Sequence, residues 1–144
     1  MRIAFKLKIM SARKNILLVD DDIAVREALG NALETENFHV VRASNGEEAM
    51  RKFLNNDIDI ALLDLNLGDE CGWDVVRQLK EIRPLLSTIV ISAEPGRLSN
   101  QSAPQVDALM EKPLNLPVLF NTLNLFASES AEGRSQRREA SAVV

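Results

Sequence analysis

The chain has no tyrosine, one tryptophan and five phenylalanines, so aromatics make up only 4% of its 144 residues. A core must therefore be built mainly from Leu, Ile, Val and Ala. One cysteine, Cys71, excludes an internal disulfide and fits a reducing compartment, so a cytoplasmic protein is expected. One histidine, His39, leaves no second imidazole or thiol at metal-ligand spacing. No apolar run approaches the ~20 residues that span a bilayer. A net charge of −4 argues against a nucleic-acid-binding surface as the main function. Residues 1–13 alternate basic and apolar side chains but lack a continuous hydrophobic region and a small-residue cleavage site. They are read as a flexible leader, not a secretion signal.

What is present is an ordinary globular composition, 46% hydrophobic and 26% charged, at a length suited to one well-buried domain. Short apolar runs alternate with helical periodicity along residues 14–127. Asn15–Val19 reads as a strand that lands on Asp20, Asp21 and Asp22. Val25, Ala28, Leu29, Ala32 and Leu33 mark one helical face. Phe38–Val41 reads as a second strand. Ser44-Asn-Gly-Glu47 has capping-box spacing for a helix with Ala49, Met50, Phe53 and Leu54 as its stripe.

The greasiest segment, Ile58 to Leu63, is apolar on both faces and ends in Asp64, as a central parallel strand would. After a loop through Gly68 and Gly72, Val75, Val76, Leu79 and Ile82 mark a third helix. Thr88–Ile91 is a fourth strand ending at Ser92, and Ala108–Met110 a fifth leading to Lys112. Pro95 to Gln105 supports only a short or irregular helix, and Leu116, Leu119, Phe120, Leu123 and Phe126 a final one. Residues 128–144 lose hydrophobic period and are expected to be a disordered tail. Alternating strands and helices predict an α/β fold, a doubly wound five-stranded parallel sheet with helices on both faces.

Ligands in such sheets collect beyond the carboxyl ends of the strands. There Asp20, Asp21, Asp22, Asp64, Ser92 and Lys112 would become neighbours. Carboxylates ~4 Å apart repel by about 4 kcal/mol at an effective dielectric of about 20, so the cluster calls for a cation. Oxygen ligands without His or Cys point to Mg²⁺, which keeps several waters and bridges to phosphate oxygens. With Lys112 as a movable charge and Ser92 as a hydroxyl donor, the set suits a phosphoryl group on or beside a carboxylate.

Four motifs carry a resemblance: Ile16-Leu-Leu-Val-Asp-Asp-Asp22, Leu62-Leu-Asp64-Leu-Asn66, Ile91-Ser92-Ala93 and Glu111-Lys112-Pro113. In this order and at strand ends, they resemble the receiver domain of two-component response regulators, over about Lys14 to Phe126. The resemblance implies a flavodoxin-like strand order, 2-1-3-4-5. It implies Asp64 as the nucleophile that accepts phosphate from a sensor histidine kinase or a phosphotransfer protein. Asp21 and Asp20 would hold Mg²⁺ together with Asp64 and the Asn66 backbone carbonyl. Ser92 and Lys112 would engage the phosphoryl group, with the Lys112–Pro113 bond cis. Asp22 matches a variable position and takes no role.

Asn66 and Glu94 match positions that flank the hydrolytic water, and the pair is similar to chemotaxis-type single-domain regulators. A phosphorylated state lasting seconds to minutes is expected. Leu109 stands where the family often has a switching aromatic, and Gly68 where a Pro is common. Because the chain ends soon after its last apolar helix, it is expected to signal to an unidentified downstream protein. A homodimer is left open, and no direct nucleic-acid or membrane contact is expected. It is expected to catalyse only its own phosphorylation and dephosphorylation. The alternatives are a receiver that works without phosphate and a Mg²⁺-dependent phosphatase of similar topology. Such a phosphatase would need a second acid where Asn66 stands.

Overall fold

The computed structural model describes residues 13–93 and 106–142. The strands are β1 (Asn15–Val19), β2 (His39–Ala43), β3 (Ile60–Asp64), β4 (Asn66–Leu67), β5 (Glu70–Cys71), β6 (Ser87–Ser92) and β7 (Ala108–Glu111). The helices are α1 (Ile23–Thr35), α2 (Gly46–Asn55), α3 (Gly72–Ile82), α4 (Leu116–Ser128) and α5 (Ala131–Ala142). Five strands form one parallel sheet in the order β2-β1-β3-β6-β7. With the two-residue strands β4 and β5 set aside as a separate hairpin, this is the expected order 2-1-3-4-5.

Alternation along the strands divides the core between two faces. Leu17, Val19, Ala61 and Leu63 pack with Phe53 of α2 and Val75, Val76 and Leu79 of α3. Ile16, Leu18, Ile60 and Leu62 pack with Leu29 and Leu33 of α1 and with Leu119, Leu123 and Phe126 of α4. Every residue of β3 is buried, which is why it reads as an unbroken apolar run. Asp59 accepts the Asn15 amide at 2.8 Å and Asp107 accepts the Thr88 amide at 2.7 Å, pinning the starts of β1 and β6.

The structure corrects several sequence expectations. The cap of α2 is Asn45, not Ser44: Asn45 Oδ1 accepts from the Glu48 amide, while the Ser44 hydroxyl donates to the Glu48 carboxylate. Ala49 and Phe53 of that helix are buried, but Leu54 faces solvent. On α1 only Leu29 and Leu33 of the expected stripe are buried. Val25, Ala28 and Ala32 instead line a groove of about 320 Å³, together with Leu29, Leu114 and Leu116. The loop after β3 contains the β4–β5 hairpin.

The largest correction is α5, which occupies most of the stretch expected to be a disordered tail. It is fastened by polar contacts, which a search for hydrophobic period does not see. The Arg137 guanidinium pairs with Asp107 at 2.8 Å and with Glu129 at 2.9 Å, and stacks over the Phe126 ring at 4.6 Å. Arg134 donates to the Leu85 carbonyl at 2.7 Å. Most of the expected leader and the irregular stretch before Val106, including Glu94, lie outside the described residues. Among the described residues no helix is long and apolar enough to cross a membrane.

Candidate functional site

Each strand of the sheet's centre delivers a polar residue at its carboxyl end. Beyond β1, the Asp20 amide still donates to the Ala43 carbonyl at 3.1 Å, so the backbone stays extended for one more residue. Its side chain, 3% exposed, accepts the Asp22 amide at 2.9 Å, and its carbonyl accepts from Arg26 at 2.8 Å. Asp22 caps α1 by accepting the Val25 amide at 3.1 Å. The three consecutive acids thus have different positions: Asp20 is buried at the strand end, Asp21 is exposed, and Asp22 starts the helix.

Asp64 ends β3 and is 3% exposed. Its Oδ1 accepts the Asn66 amide at 2.9 Å, and its Oδ2 accepts from Lys112 Nζ at 2.5 Å. Ser92 ends β6, buried, and its carbonyl accepts the Lys112 amide at 2.9 Å. The Lys112–Pro113 bond is cis. Leu109 lies on the edge strand β7, paired with Val90 and 44% exposed. The sheet thereby gathers Asp20, Asp64, Ser92 and Lys112 along one edge.

The electrostatics follow from that crowding. Burial pushes the Asp20 carboxyl above its ordinary range, the Asp22 amide opposes this, and the charges of Asp64 and Asp21 add to the rise. The hydrogen bond to Asp64 holds the Lys112 ammonium above its ordinary range. Partial burial opposes it, and the charges of Asp64, Asp20 and Asp21 reinforce it. One lysine therefore offsets part of the repulsion among three acids.

Whether the residues fit a metal can be judged from the donors. Among the described residues no three His, Cys, Asp or Glu side chains converge as a ready cage. Mg²⁺ does not need one, since it binds through one or two carboxylates and retains water. Gly68, at φ 71°, has the Asp21 carboxylate 3.5 Å from where a Cβ would sit, so the loop after Asp64 lies close to Asp21. All nearby donors are oxygens. That combination fits a hard, partly hydrated divalent cation.

Sequence reasoning missed three local partners. Arg26 holds the Asp20 carbonyl, Asp22 is a cap, and Glu70 accepts the Gly46 amide at 2.6 Å. Asp22 before an apolar helical stripe was a readable cap signal. The Arg26 contact spans only six residues but follows no recognised spacing, and the Glu70 contact is a tertiary one.

A doubly wound sheet with acids at its strand ends and a lysine bonded to the central one defines a class of small α/β domains. The family model for the response regulator receiver domain matches residues 16–124, and the chain belongs to that family. It is a two-component receiver. It is 33% identical over 106 residues to a cyclic di-GMP phosphodiesterase of Thermotoga maritima, covering 72% of this chain and 28% of that protein. It is 27% identical over 129 residues to the transcriptional regulatory protein GlrR of Escherichia coli K12, covering 88% of this chain and 29% of that protein. The chain thus spans less than a third of either relative. Among solved structures it is similar to the response regulator protein TrrA of Thermotoga maritima in complex with Mg(2+)-BeF. The TM-score is 0.72 at 28% identity, over 78% of this chain and 98% of that one.

Proposed function

We propose that Asp64 is the phosphoacceptor of this receiver. The observation that carries the reading is the setting of the Asp64 carboxylate. It is buried at the end of the central strand, with one oxygen held by the Asn66 amide and the other by Lys112. In transfer, an Asp64 oxygen forms a bond to the phosphorus of a phosphohistidine on the partner. The N–P bond breaks, and its electron pair leaves with the imidazole nitrogen. Lys112 passes from the carboxylate to a phosphoryl oxygen, and the Ser92 hydroxyl donates to another.

Mg²⁺, when bound, would supply positive charge against that of the phosphoryl oxygens. Asp20, Asp21, Asp64 and the Asn66 carbonyl are the groups that would hold it. The Mg(2+)-BeF complex of TrrA supports this assignment by likeness of fold and family. Asn66 and Glu94 tune the hydrolysis of the acyl phosphate, and Leu109 takes the place of the aromatic that moves with Ser92. Turnover is confined to the chain's own phosphorylation and dephosphorylation. Asn66 in place of a second acid argues against phosphatase activity on external substrates.

The groove lined by Val25, Ala28, Leu29, Ala32, Leu114 and Leu116 offers an apolar seat for a helix of the sensor kinase or phosphotransfer protein. Its lining follows the strand ends closely in sequence, with Val25 three residues after Asp22 and Leu114 two after Lys112. We place the chain in the cytoplasm, acting on a downstream protein. Trp73, packed against the core at the start of α3, is a single fluorophore with which to follow the site. Beryllofluoride with Mg²⁺ is expected to change Trp73 emission in the parent and not in Asp64→Asn. A metal-independent or Asp64-independent response would refute the proposal.

A further inference from the structure

The loop that follows the phosphoacceptor is fastened at four points. Asn66 donates to Asp64 at 2.9 Å, and the Gly72 amide donates to the Leu65 carbonyl at 3.1 Å. Leu67 is buried in the core. The fourth point is Glu70, whose Oε1 accepts the amide of Gly46, 24 residues earlier, at 2.6 Å.

Glu70 lies next to Cys71, which pairs with Asn66 across the β4–β5 hairpin, while Glu70 itself pairs with Leu67. Its carboxylate therefore ties the hairpin to the first residue of α2. Gly46 is shaped for this approach: a Cβ there would run into the Glu70 carboxylate and would lie 2.8 Å from Val75 Cγ2. Asn45 satisfies the Glu48 amide and Glu70 satisfies the Gly46 amide, so two free amides at the start of α2 have acceptors. A negative charge at a helix N-terminus is further favoured by the aligned peptide dipoles. Gly72 closes the other end, because a Cβ there would lie 2.6 Å from Leu65 Cα and 2.9 Å from the Asp64 carbonyl oxygen.

We infer that Glu70 is a positioning residue for the metal-binding loop: by anchoring the hairpin to α2, it holds the Asn66 backbone where its carbonyl serves Mg²⁺. This rests on the reading of Asp64 and Mg²⁺ given above. Glu70 touches neither metal nor phosphoryl group; it acts through Asn66. Groups that orient a metal ligand in this way typically cost 10–100-fold in affinity when removed.

The test compares the parent, Glu70→Ala and Glu70→Gln, the last retaining a carbonyl oxygen at the same reach. Three quantities are measured: Mg²⁺ affinity by calorimetry, phosphorylation rate by a small phosphodonor at saturating Mg²⁺, and amide exchange at Gly46 and Asn66 without metal. Glu70→Ala is expected to weaken Mg²⁺ binding about tenfold and to speed exchange at both amides. Its rate at saturating Mg²⁺ should stay within about twofold of the parent, because Asp64 and Lys112 are untouched; a general loss of structure would not give that split. Glu70→Gln should restore most of the affinity. Parental affinity in Glu70→Ala, or an equal loss in Glu70→Gln, overturns the inference while leaving Asp64 in place. Failure of the parent itself to bind Mg²⁺ overturns the reading of the site, and the inference with it.

Discussion

Replacing Arg137 by Ala removes its contacts with Asp107, Glu129 and Phe126 and leaves only the Arg134–Leu85 bond of those described above; the cost can be worked from their burial. The Asp107 side chain is only 2% exposed, Glu129 14% and Arg137 28%. Exposed ion pairs contribute about 0–1 kcal/mol. Breaking a fully buried pair costs about 3–5 kcal/mol, because a charge is left without a partner. The Arg137 contacts fall between these limits. Asp107 keeps its bond from the Thr88 amide, which softens the loss. Stacking over Phe126 adds about 0.5–1 kcal/mol. The expected destabilisation is about 2–3 kcal/mol, or a fall in Tm of roughly 6–9 °C at this chain length. Arg137→Lys should fall between, since it keeps the charge but loses the planar two-carboxylate fork. Thermal unfolding followed by circular dichroism reads the stability, and limited trypsin digestion reads release of α5. An unchanged Tm and unchanged cleavage in Arg137→Ala would show that the helix is not held by these contacts.

Three further substitutions have expected outcomes. Burial raises the Asp20 carboxyl on folding, so its charged form weakens the metal-free fold once pH climbs past the ordinary carboxylate value; Asp20→Asn should therefore raise Tm at neutral pH, with the gain vanishing below about pH 4. The same substitution should weaken Mg²⁺ binding, which calorimetry would read. Asp22→Ala removes the α1 cap and should cost about 1 kcal/mol in urea denaturation. Gly72→Ala drives a methyl group against the Leu65 backbone and should cost about 2 kcal/mol or more, with a visible shift of the Asn66 amide in NMR spectra.

Most of the sheet was legible because both faces of β1 and β3 are covered, leaving short unbroken apolar runs whose ends could be read directly. Asp20, Asp64 and Ser92 were legible as the polar residues that end the apolar runs of β1, β3 and β6, whereas Lys112 follows Glu111 beyond the partly exposed β7. The α2 cap was displaced by one residue because Ser44 and Asn45 are both good capping residues, and local pattern does not choose between them. Of the five residues on the α1 stripe, only Leu29 and Leu33 are buried. Val25 and Ala28 have the right spacing but line an open groove, and periodicity does not distinguish a groove from a core. Helix α5 was missed because guanidinium–carboxylate contacts hold it, not an apolar face. The Glu70–Gly46 bond joins residues far apart in sequence, with nothing local to announce it.

Phosphotransfer to Asp64 is read most directly by intact-protein and peptide mass spectrometry after treatment with a small phosphodonor and Mg²⁺. The expected result is one phosphoryl group, on the peptide containing Asp64, labile to hydroxylamine and lost within seconds to minutes. It should be absent from Asp64→Asn and from samples stripped of Mg²⁺. A phosphoryl group on any other residue, or equal labelling of Asp64→Asn, would contradict Asp64 as the acceptor.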